Sequence, residues 1–122
     1  MERVLVVDDE PDVLLLCRLN LEQQGFHVLE ASNGRSALDL LRDEKPDVLV
    51  LDLMMPGMTG YDVLEAIRAD EQLPETPILV LTAKSLQADR VRTAELGASA
   101  FLTKPFLPSE LCDLVRSLAG PA

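Results

Sequence analysis

The sequence predicts an α/β fold in which helices cover both faces of a parallel sheet. Short runs of β-branched residues and leucine alternate with longer segments of helical periodicity, five of each in 122 residues. Three of the runs are continuously apolar, which is typical of strands buried on both faces. Because parallel strands separated by helices are joined by right-handed crossovers, we expect a doubly wound sheet built from five strand–helix units.

Each predicted strand is a run of three or four mostly apolar residues. The five strands are expected at 4–7, 27–29, 48–51, 78–81 and 100–102. Each predicted helix follows a strand and carries apolar residues at helical spacing. The five helices are expected at 11–24, 34–43, 60–69, 86–96 and 108–118.

Local signals support several of these helices. Asn33 is a suitable N-cap for the second helix, because its side chain can accept a hydrogen bond from a free backbone N–H. Thr59 and Asp62 have the spacing of a capping box at the start of the third helix. The fourth helix is the least apolar, and its predicted core face carries Val91, Ala94 and Leu96.

Composition limits the classes of protein to consider. The length fits a single domain over residues 1–122, with 119–122 as a possible start of a linker. Hydrophobic residues make up 48% of the chain, which favours a globular core, and a net charge of −10 argues against direct binding to nucleic acid or to an anionic membrane. The two cysteines indicate reduced core thiols, and the lack of a spanning or signal segment predicts a cytoplasmic protein.

Polar residues follow four of the five predicted strands. Asp8 and Asp9 follow the first strand, Asp52 the third, Thr82 the fourth and Lys104 the fifth. Because ligands of open parallel sheets bind at the carboxyl ends of the strands, we expect these five side chains to lie close together.

That combination of side chains points to phosphoryl chemistry. Three carboxylates repel one another, and a divalent cation relieves the repulsion; oxygen ligands suit Mg²⁺, whereas the absence of paired His or Cys makes Zn²⁺ unlikely. A cation, a hydroxyl and an ammonium together neutralise a phosphoryl group. A carboxylate in such a site can itself be the nucleophile and form an acyl phosphate.

Four motifs carry a resemblance to a known family. They are Asp8-Asp9-Glu10, residues 47–60 with the Pro56-Gly57 turn, residues 81–84 and residues 97–106. In this order and spacing, the chain resembles the receiver domain of two-component response regulators and is similar to the chemotaxis response regulator. The resemblance implies a flavodoxin-like (βα)5 fold with a five-stranded parallel sheet in the order 2-1-3-4-5.

The resemblance also implies roles for the acidic residues. Asp52 matches the phospho-acceptor. Asp8 and Asp9 match the pair that holds Mg²⁺, Asp9 more directly and Asp8 through water. Met54 matches the position whose backbone carbonyl is a further metal ligand. The ligand set that the resemblance implies is therefore Asp8, Asp9, Asp52 and the carbonyl of Met54.

Other positions match the family's switch. Thr82 matches a hydroxyl that turns toward the phosphoryl group, and Phe101 an aromatic residue that moves inward with it, although many members have Tyr there. Lys104 matches a lysine that pairs with a phosphoryl oxygen. The Lys104–Pro105 peptide bond is cis in the family.

Two variable positions of the family tune the lifetime of the phosphorylated form. They correspond to Met54 and Lys84, which lie two residues beyond Asp52 and Thr82. Our hypothesis is that Met54 shields the phosphoryl group from water. Lys84 either contacts the pocket or an acid at its rim, or is simply solvated.

Leu107 stands where the family often has a helix-capping residue. Leucine cannot cap a helix, so either the fifth helix starts differently or Leu107 makes an apolar contact. With Phe106 and Leu111 it is a candidate for an exposed patch on the face of the fourth helix, fifth strand and fifth helix, the family's usual output surface. The alternative is an isolated surface leucine.

The function implied is a phosphorylation-dependent switch. A sensor histidine kinase or a histidine phosphotransfer protein donates the phosphoryl group, and the altered output face regulates a downstream protein or a C-terminal effector domain. The domain is not a conventional enzyme, but catalyses its own phosphoryl transfer and slow autodephosphorylation. It is expected to be a monomer or a weak, phosphorylation-dependent dimer.

Two other functions fit the same fold. A flavin-binding electron carrier needs a phosphate-binding loop after the first strand, and Asp8-Asp9-Glu10 at that place would repel a phosphate. A receiver that acts as an unphosphorylated scaffold would be favoured by a broken acidic pocket, and the pocket residues are all present.

Overall fold

The computed structural model describes residues 2–83 and 88–120, together with the backbone of Gln87. The strands are β1 (Arg3–Val7), β2 (His27–Ala31), β3 (Val48–Asp52), β4 (Ile78–Thr82) and β5 (Ala100–Thr103). The helices are α1 (Pro11–Gln23), α2 (Gly34–Glu44), α3 (Gly60–Ala69), α4 (Gln87–Glu95) and α5 (Pro108–Ala119). All strand pairs are parallel and the order is β2-β1-β3-β4-β5, so the predicted fold class and strand order are confirmed.

The sheet separates two hydrophobic cores because successive side chains of a strand point to opposite faces. In β1, Val4 and Val6 face one core, and Leu5 and Val7 face the other. α1 and α5 cover the first core, with buried residues Cys17, Leu21, Leu111, Cys112 and Val115. α2 and α3 cover the second, with Ala37, Leu41, Val63 and Leu64. Covering on both faces explains why the central strands are continuously apolar.

The predicted caps of α2 and α3 are confirmed. The Asn33 side chain accepts a hydrogen bond from the Ser36 N–H at 2.8 Å. At the start of α3, the Thr59 N–H donates to Asp62 at 2.9 Å, and the Asp62 N–H donates to the Thr59 hydroxyl oxygen at 3.2 Å. These bonds satisfy backbone donors that have no partner within the helix.

The predicted core face of α4 was wrong for two of its three residues. Val91 is 46% exposed and Ala94 is exposed as well, whereas Leu96 is half-buried against the second core. Among the described side chains of α4, the buried one is Thr93, whose hydroxyl lies 2.9 Å from the Asp89 carbonyl of its own helix. A hydroxyl satisfied within the helix can be buried, so apolar periodicity misidentified the inner face.

α5 begins at Pro108 as predicted, although Leu107 cannot cap it. The Leu107 N–H donates instead to the Glu110 carboxylate at 2.8 Å, which is one half of a capping box. The expectation that Leu111 contributes to an exposed patch was wrong, because Leu111 is fully buried in the first core. Leu107 is 64% exposed, and Phe106 is partly buried against that core.

Two further sequence predictions can be compared with the described residues. Cys17 and Cys112 are buried free thiols, as expected. Within the described residues, every helix is too short or too polar to cross a bilayer.

Candidate functional site

The carboxyl ends of β1, β3 and β5 bring three charged side chains together. The Lys104 ammonium nitrogen lies 2.8 Å from Asp8 Oδ2 and 3.5 Å from Asp52 Oδ1. Asp8 and Lys104 directly follow their strands, and Asp52 is the last residue of β3. The parallel register therefore places residues far apart in sequence at one edge of the sheet.

Asp8 is fully buried, and both of its carboxylate oxygens accept hydrogen bonds. Oδ1 accepts from the Glu10 N–H at 2.9 Å, and Oδ2 accepts from Lys104. A buried carboxylate held on both oxygens has a fixed orientation, so Asp8 forms a rigid wall of the site.

Asp52 is 1% exposed and only half satisfied. Its Oδ1 accepts from the Met54 N–H at 3.2 Å, whereas its Oδ2 has no hydrogen-bond partner among the described residues. Burial, and then the negative charge of Asp8, raises the pKa of Asp52 to about 6, and the Met54 N–H and Lys104 oppose this only in part. A buried oxygen left without a partner is costly and marks a position where a ligand atom can bind.

Lys104 supplies the positively charged side chain of this site. Burial alone lowers the pKa of its ammonium, but the hydrogen bond with Asp8 and the charges of Asp52, Asp8 and Glu10 outweigh burial and raise the pKa. The ammonium is therefore charged, and its side chain is only 14% exposed. In this arrangement it pairs more closely with Asp8 than with Asp52.

The acidic run after β1 could hold a cation. One carboxylate oxygen from each of Asp8, Asp9 and Glu10 lies within 4.8 Å of the others. These are hard oxygen donors, and the unpartnered Oδ2 of Asp52 adds another nearby acceptor, so the donor set fits Mg²⁺.

Glu10 is a residue to which sequence reasoning gave no role. It belongs to the acidic cluster, and its carboxylate lies 3.4 Å from the Lys104 nitrogen. The signal was present in the Asp-Asp-Glu run, but the contact with Lys104 depends on the approach of β5 and could not be read from spacing.

Three further features singled out in the sequence, Thr82, Met54 and the Lys104–Pro105 bond, lie around this cluster. Thr82 is fully buried at the end of β4, and its carbonyl accepts from the Lys104 N–H at 2.7 Å. Met54 is 50% exposed at the mouth of the site, and the Lys104–Pro105 peptide bond is cis. Lys84 lies outside the described residues.

Phe101 occupies the middle of β5 and is half-buried against the second core. The Arg90 guanidinium of α4 stacks over its ring at 4.6 Å from the ring centre. Phe101 thus lies between the sheet and α4 rather than within the acidic cluster.

Gly60 lets α3 begin directly against the end of β3. A Cβ at this position would lie 2.5 Å from the Asp52 carbonyl oxygen and 2.6 Å from Leu53 Cα, which is too close for any side chain. The Gly60 N–H also donates to the Leu53 carbonyl at 3.0 Å. This close approach fixes the segment that carries Asp52.

Comparisons with known proteins agree with this geometry. The family model described as the response regulator receiver domain matches residues 4–116. The transcriptional regulatory protein CpxR of Escherichia coli strain K12 is 43% identical over 118 residues, which cover 97% of this chain and 49% of CpxR. The alkaline phosphatase synthesis transcriptional regulatory protein PhoP of Bacillus subtilis is 42% identical over 96% of this chain and 48% of PhoP. The chain spans about half the length of these curated relatives.

Solved structures share the whole architecture. The chemotaxis protein CheY4 of Vibrio cholerae superposes with a TM-score of 0.90 at 33% identity, covering 97% of this chain and 98% of that chain. The receiver domain of the Francisella response regulator 1452 has a TM-score of 0.91 at 30% identity, covering 98% and 97% of the two chains. The chain therefore belongs to the response regulator receiver domain family, whose general function is a phosphorylation switch in two-component signalling.

Proposed function

We propose that this receiver domain accepts a phosphoryl group on Asp52 in an Mg²⁺-dependent reaction. The observation that carries the proposal is the buried Asp52 Oδ2, which lacks a partner among the described residues while a lysine ammonium lies 3.5 Å from the other oxygen. An uncommitted nucleophile beside a fixed positive charge suits attack on an anionic phosphoryl group.

In the proposed step, Asp52 Oδ2 forms a bond to the phosphorus of a phosphohistidine. The phosphorus–nitrogen bond breaks, its electron pair stays on the imidazole nitrogen, and the product is an acyl phosphate. Lys104 leaves its contact with Asp8 and pairs with a phosphoryl oxygen. The same residues support slow hydrolysis, and Met54 and Lys84 tune its rate by shielding or contacting the phosphoryl group.

The proposed metal ligands are Asp8, Asp9, Asp52 and the backbone carbonyl of Met54. Bound Mg²⁺ would supply positive charge beside the phosphoryl oxygens. Burial, and then the negative charge of Asp8, raises the pKa of Asp52, which supports the need for a cation at this place.

In the proposed switch, the added charge of the phosphoryl group changes the positions of side chains on β4 and β5. A phosphoryl group draws the Thr82 hydroxyl toward it, and Phe101 moves inward into the space that Thr82 leaves. The output surface is the face of α4, β5 and α5, where Phe101 already contacts α4 through Arg90. Since a ligand can only shift populations, some switched form exists before phosphorylation.

The proposed partners follow from the family and the charge. The phosphodonor is a sensor histidine kinase or a histidine phosphotransfer protein in the cytoplasm, and the output is a downstream protein or an effector domain. Relatives of about twice this length are transcriptional regulatory proteins, which favours an attached effector. In this proposal the receiver domain covers residues 1–122, and a linker starts near 119–122. The domain itself binds neither nucleic acid nor membrane. It is a monomer or a weak phosphorylation-dependent dimer.

Incubation with a small phosphodonor tests the proposal. Intact-mass spectrometry is expected to find one phosphoryl group per chain in the presence of Mg²⁺, and none in Asp52→Asn or with a chelator. Asp43→Asn, which removes one exposed carboxylate from α2, is the matched control and is expected to be labelled like the wild type. Stoichiometric labelling of Asp52→Asn would refute Asp52 as the acceptor.

A further inference from the structure

The described side chains of the fourth helix contact the rest of the molecule mainly through polar groups. Among its described side chains, Thr93 is the one that is fully buried, and the apolar Val91 is 46% exposed. Burial of apolar side chains normally fixes a helix on a sheet. Among the described residues of α4, the contacts that hold its position are therefore mainly hydrogen bonds and contacts of cationic side chains.

One of these contacts joins the first turn of α4 to α3. The Tyr61 hydroxyl of α3 donates to Asp89 Oδ1 of α4 at 2.6 Å, and the pair is partly buried. Hydrogen bonds to an ionised carboxylate are stronger than those between neutral groups. The bond joins the first turn of α3 to the first turn of α4, at the end of the helices nearest the acidic cluster.

Weaker contacts surround this bond. The Arg92 guanidinium stacks over the Tyr61 ring at 4.1 Å and lies 3.7 Å from Glu65. Both charged side chains are more than half exposed, and exposed ion pairs contribute little. A second hydrogen bond runs from the Arg68 guanidinium of α3 to the Glu95 carbonyl at the other end of α4, and it is exposed. The Tyr61–Asp89 hydrogen bond is therefore the partly buried tie between the two helices, at the end nearest the acidic cluster.

The groups that contact α4 from α3 and from β5 lie close to residues of the proposed switch. Tyr61 directly follows Gly60, which is in close contact with the backbone of Asp52 and Leu53. On the β5 side, Arg90 of α4 rests on the Phe101 ring. A movement of Phe101 removes that support, and the first turn of α4 is then held to α3 through Tyr61.

We propose that the hydrogen bond between the Tyr61 hydroxyl and the Asp89 carboxylate is a latch that holds α4 in its unphosphorylated position. The latch opposes the switched form, so its strength sets how large a fraction of the free receiver is ready to accept a phosphoryl group. This inference rests on the proposed phosphorylation of Asp52 for its effect on rate, but not for its effect on α4.

The state of the two groups supports a persistent bond. Burial, and then the hydrogen bond with Asp89, raises the pKa of Tyr61 to about 12, so the hydroxyl keeps its proton through the physiological range. Asp89 also lies in the first turn of α4, where a negative charge is favoured by the helix dipole. The Tyr61 hydroxyl thus remains the donor that the latch requires.

Two substitutions open the latch from opposite sides. Tyr61→Phe removes only the hydroxyl and keeps the ring beneath Arg92, and Asp89→Asn removes the charge of the acceptor. Each is expected to raise the rate of labelling by a small phosphodonor with Mg²⁺ by about 3- to 10-fold. The double variant is expected to match the single variants, because all three lose the same bond. Asp43→Asn controls for the loss of one negative charge.

Hydrogen exchange of the unphosphorylated protein gives a second readout. The amides of α4 are expected to exchange faster in both latch variants by a similar factor, and those of α5 to be unchanged. Unchanged α4 exchange in both variants would overturn the latch, as would a labelling rate that does not rise or that rises additively in the double variant. If no variant, including the wild type, is labelled at Asp52, the proposed function fails, while the exchange data still decide whether Tyr61 and Asp89 hold α4.

Discussion

The last two helices are held to the same sheet by different forces. α5 buries Leu111, Cys112 and Val115 in the first core, whereas α4 buries only Thr93 among its described side chains. Apolar packing tolerates little displacement, because close-packed side chains lose contact after small shifts. Polar contacts at a surface can be exchanged for contacts with water at low cost. The difference indicates that α5 is the fixed element of the output face and α4 the adjustable one.

The largest expected effect comes from truncating a buried residue of α5. Leu111→Ala should lower the free energy of unfolding by about 2–5 kcal/mol, because it removes apolar contacts and leaves a cavity. Val91→Ala on α4 should change it by less than about 0.5 kcal/mol, since Val91 is 46% exposed. Urea denaturation measures both, and equal losses would show that α4 is as firmly packed as α5.

A smaller effect is expected at the junction between β3 and α3. Gly60→Ala should destabilise the protein by about 1–3 kcal/mol and slow labelling of Asp52, because the new Cβ would lie 2.5 Å from the Asp52 carbonyl oxygen. Gly57→Ala is the matched control: Gly57 has φ +78° but no neighbour within 4 Å of an added Cβ. Its cost is conformational, about 1 kcal/mol, with no slowing of labelling. A Gly60→Ala protein that is labelled at the normal rate would mean that this contact does not position Asp52.

The smallest of these effects concerns the charge of Asp52. Its pKa is raised from 3.8 to about 6 in the folded protein, so folding favours the protonated form. Stability is therefore greatest at low pH with respect to this group and is lost as pH rises through about 6. Without metal, Asp52→Asn should be more stable than the wild type by about 1–2 kcal/mol at neutral pH, and less so near pH 4. Thermal unfolding at both pH values measures this. A stability difference between the two proteins that does not depend on pH would contradict a raised pKa of Asp52.

Much of the fold could be predicted because local signals and the global fold agree. The continuous apolar run from Val4 to Val7 predicted a strand, and the Thr59–Asp62 spacing predicted the start of α3. Asp52 and Thr82 lie inside their strands rather than just after them, because pairing continues to Leu81 and Thr103 on the neighbouring strands. Strand ends are decided by such cross-strand bonds, which spacing alone does not reveal.

The site was less predictable than the fold. The rule that ligands bind at the carboxyl ends of parallel strands identified the right strand ends. It could not predict which acid lies closest to the Lys104 nitrogen: Asp8 at 2.8 Å, against Glu10 at 3.4 Å and Asp52 at 3.5 Å. Side-chain partners depend on how β5 and the β1–α1 loop approach each other. The burial of Leu111 was missed for the same reason. It follows from the packing of α5 on α1 in the first core, which the closeness of Leu111 to Phe106 in the sequence does not reveal.

The central claim is that the carboxylate of Asp52 becomes an acyl phosphate, and reductive trapping tests it most directly. Borohydride converts an aspartyl phosphate to homoserine, and peptide mass spectrometry then locates the change. After treatment with a small phosphodonor and Mg²⁺, homoserine is expected at position 52 alone, and at no position when the metal is chelated. Homoserine at Asp8 or Asp9 with Asp52 intact would contradict the account.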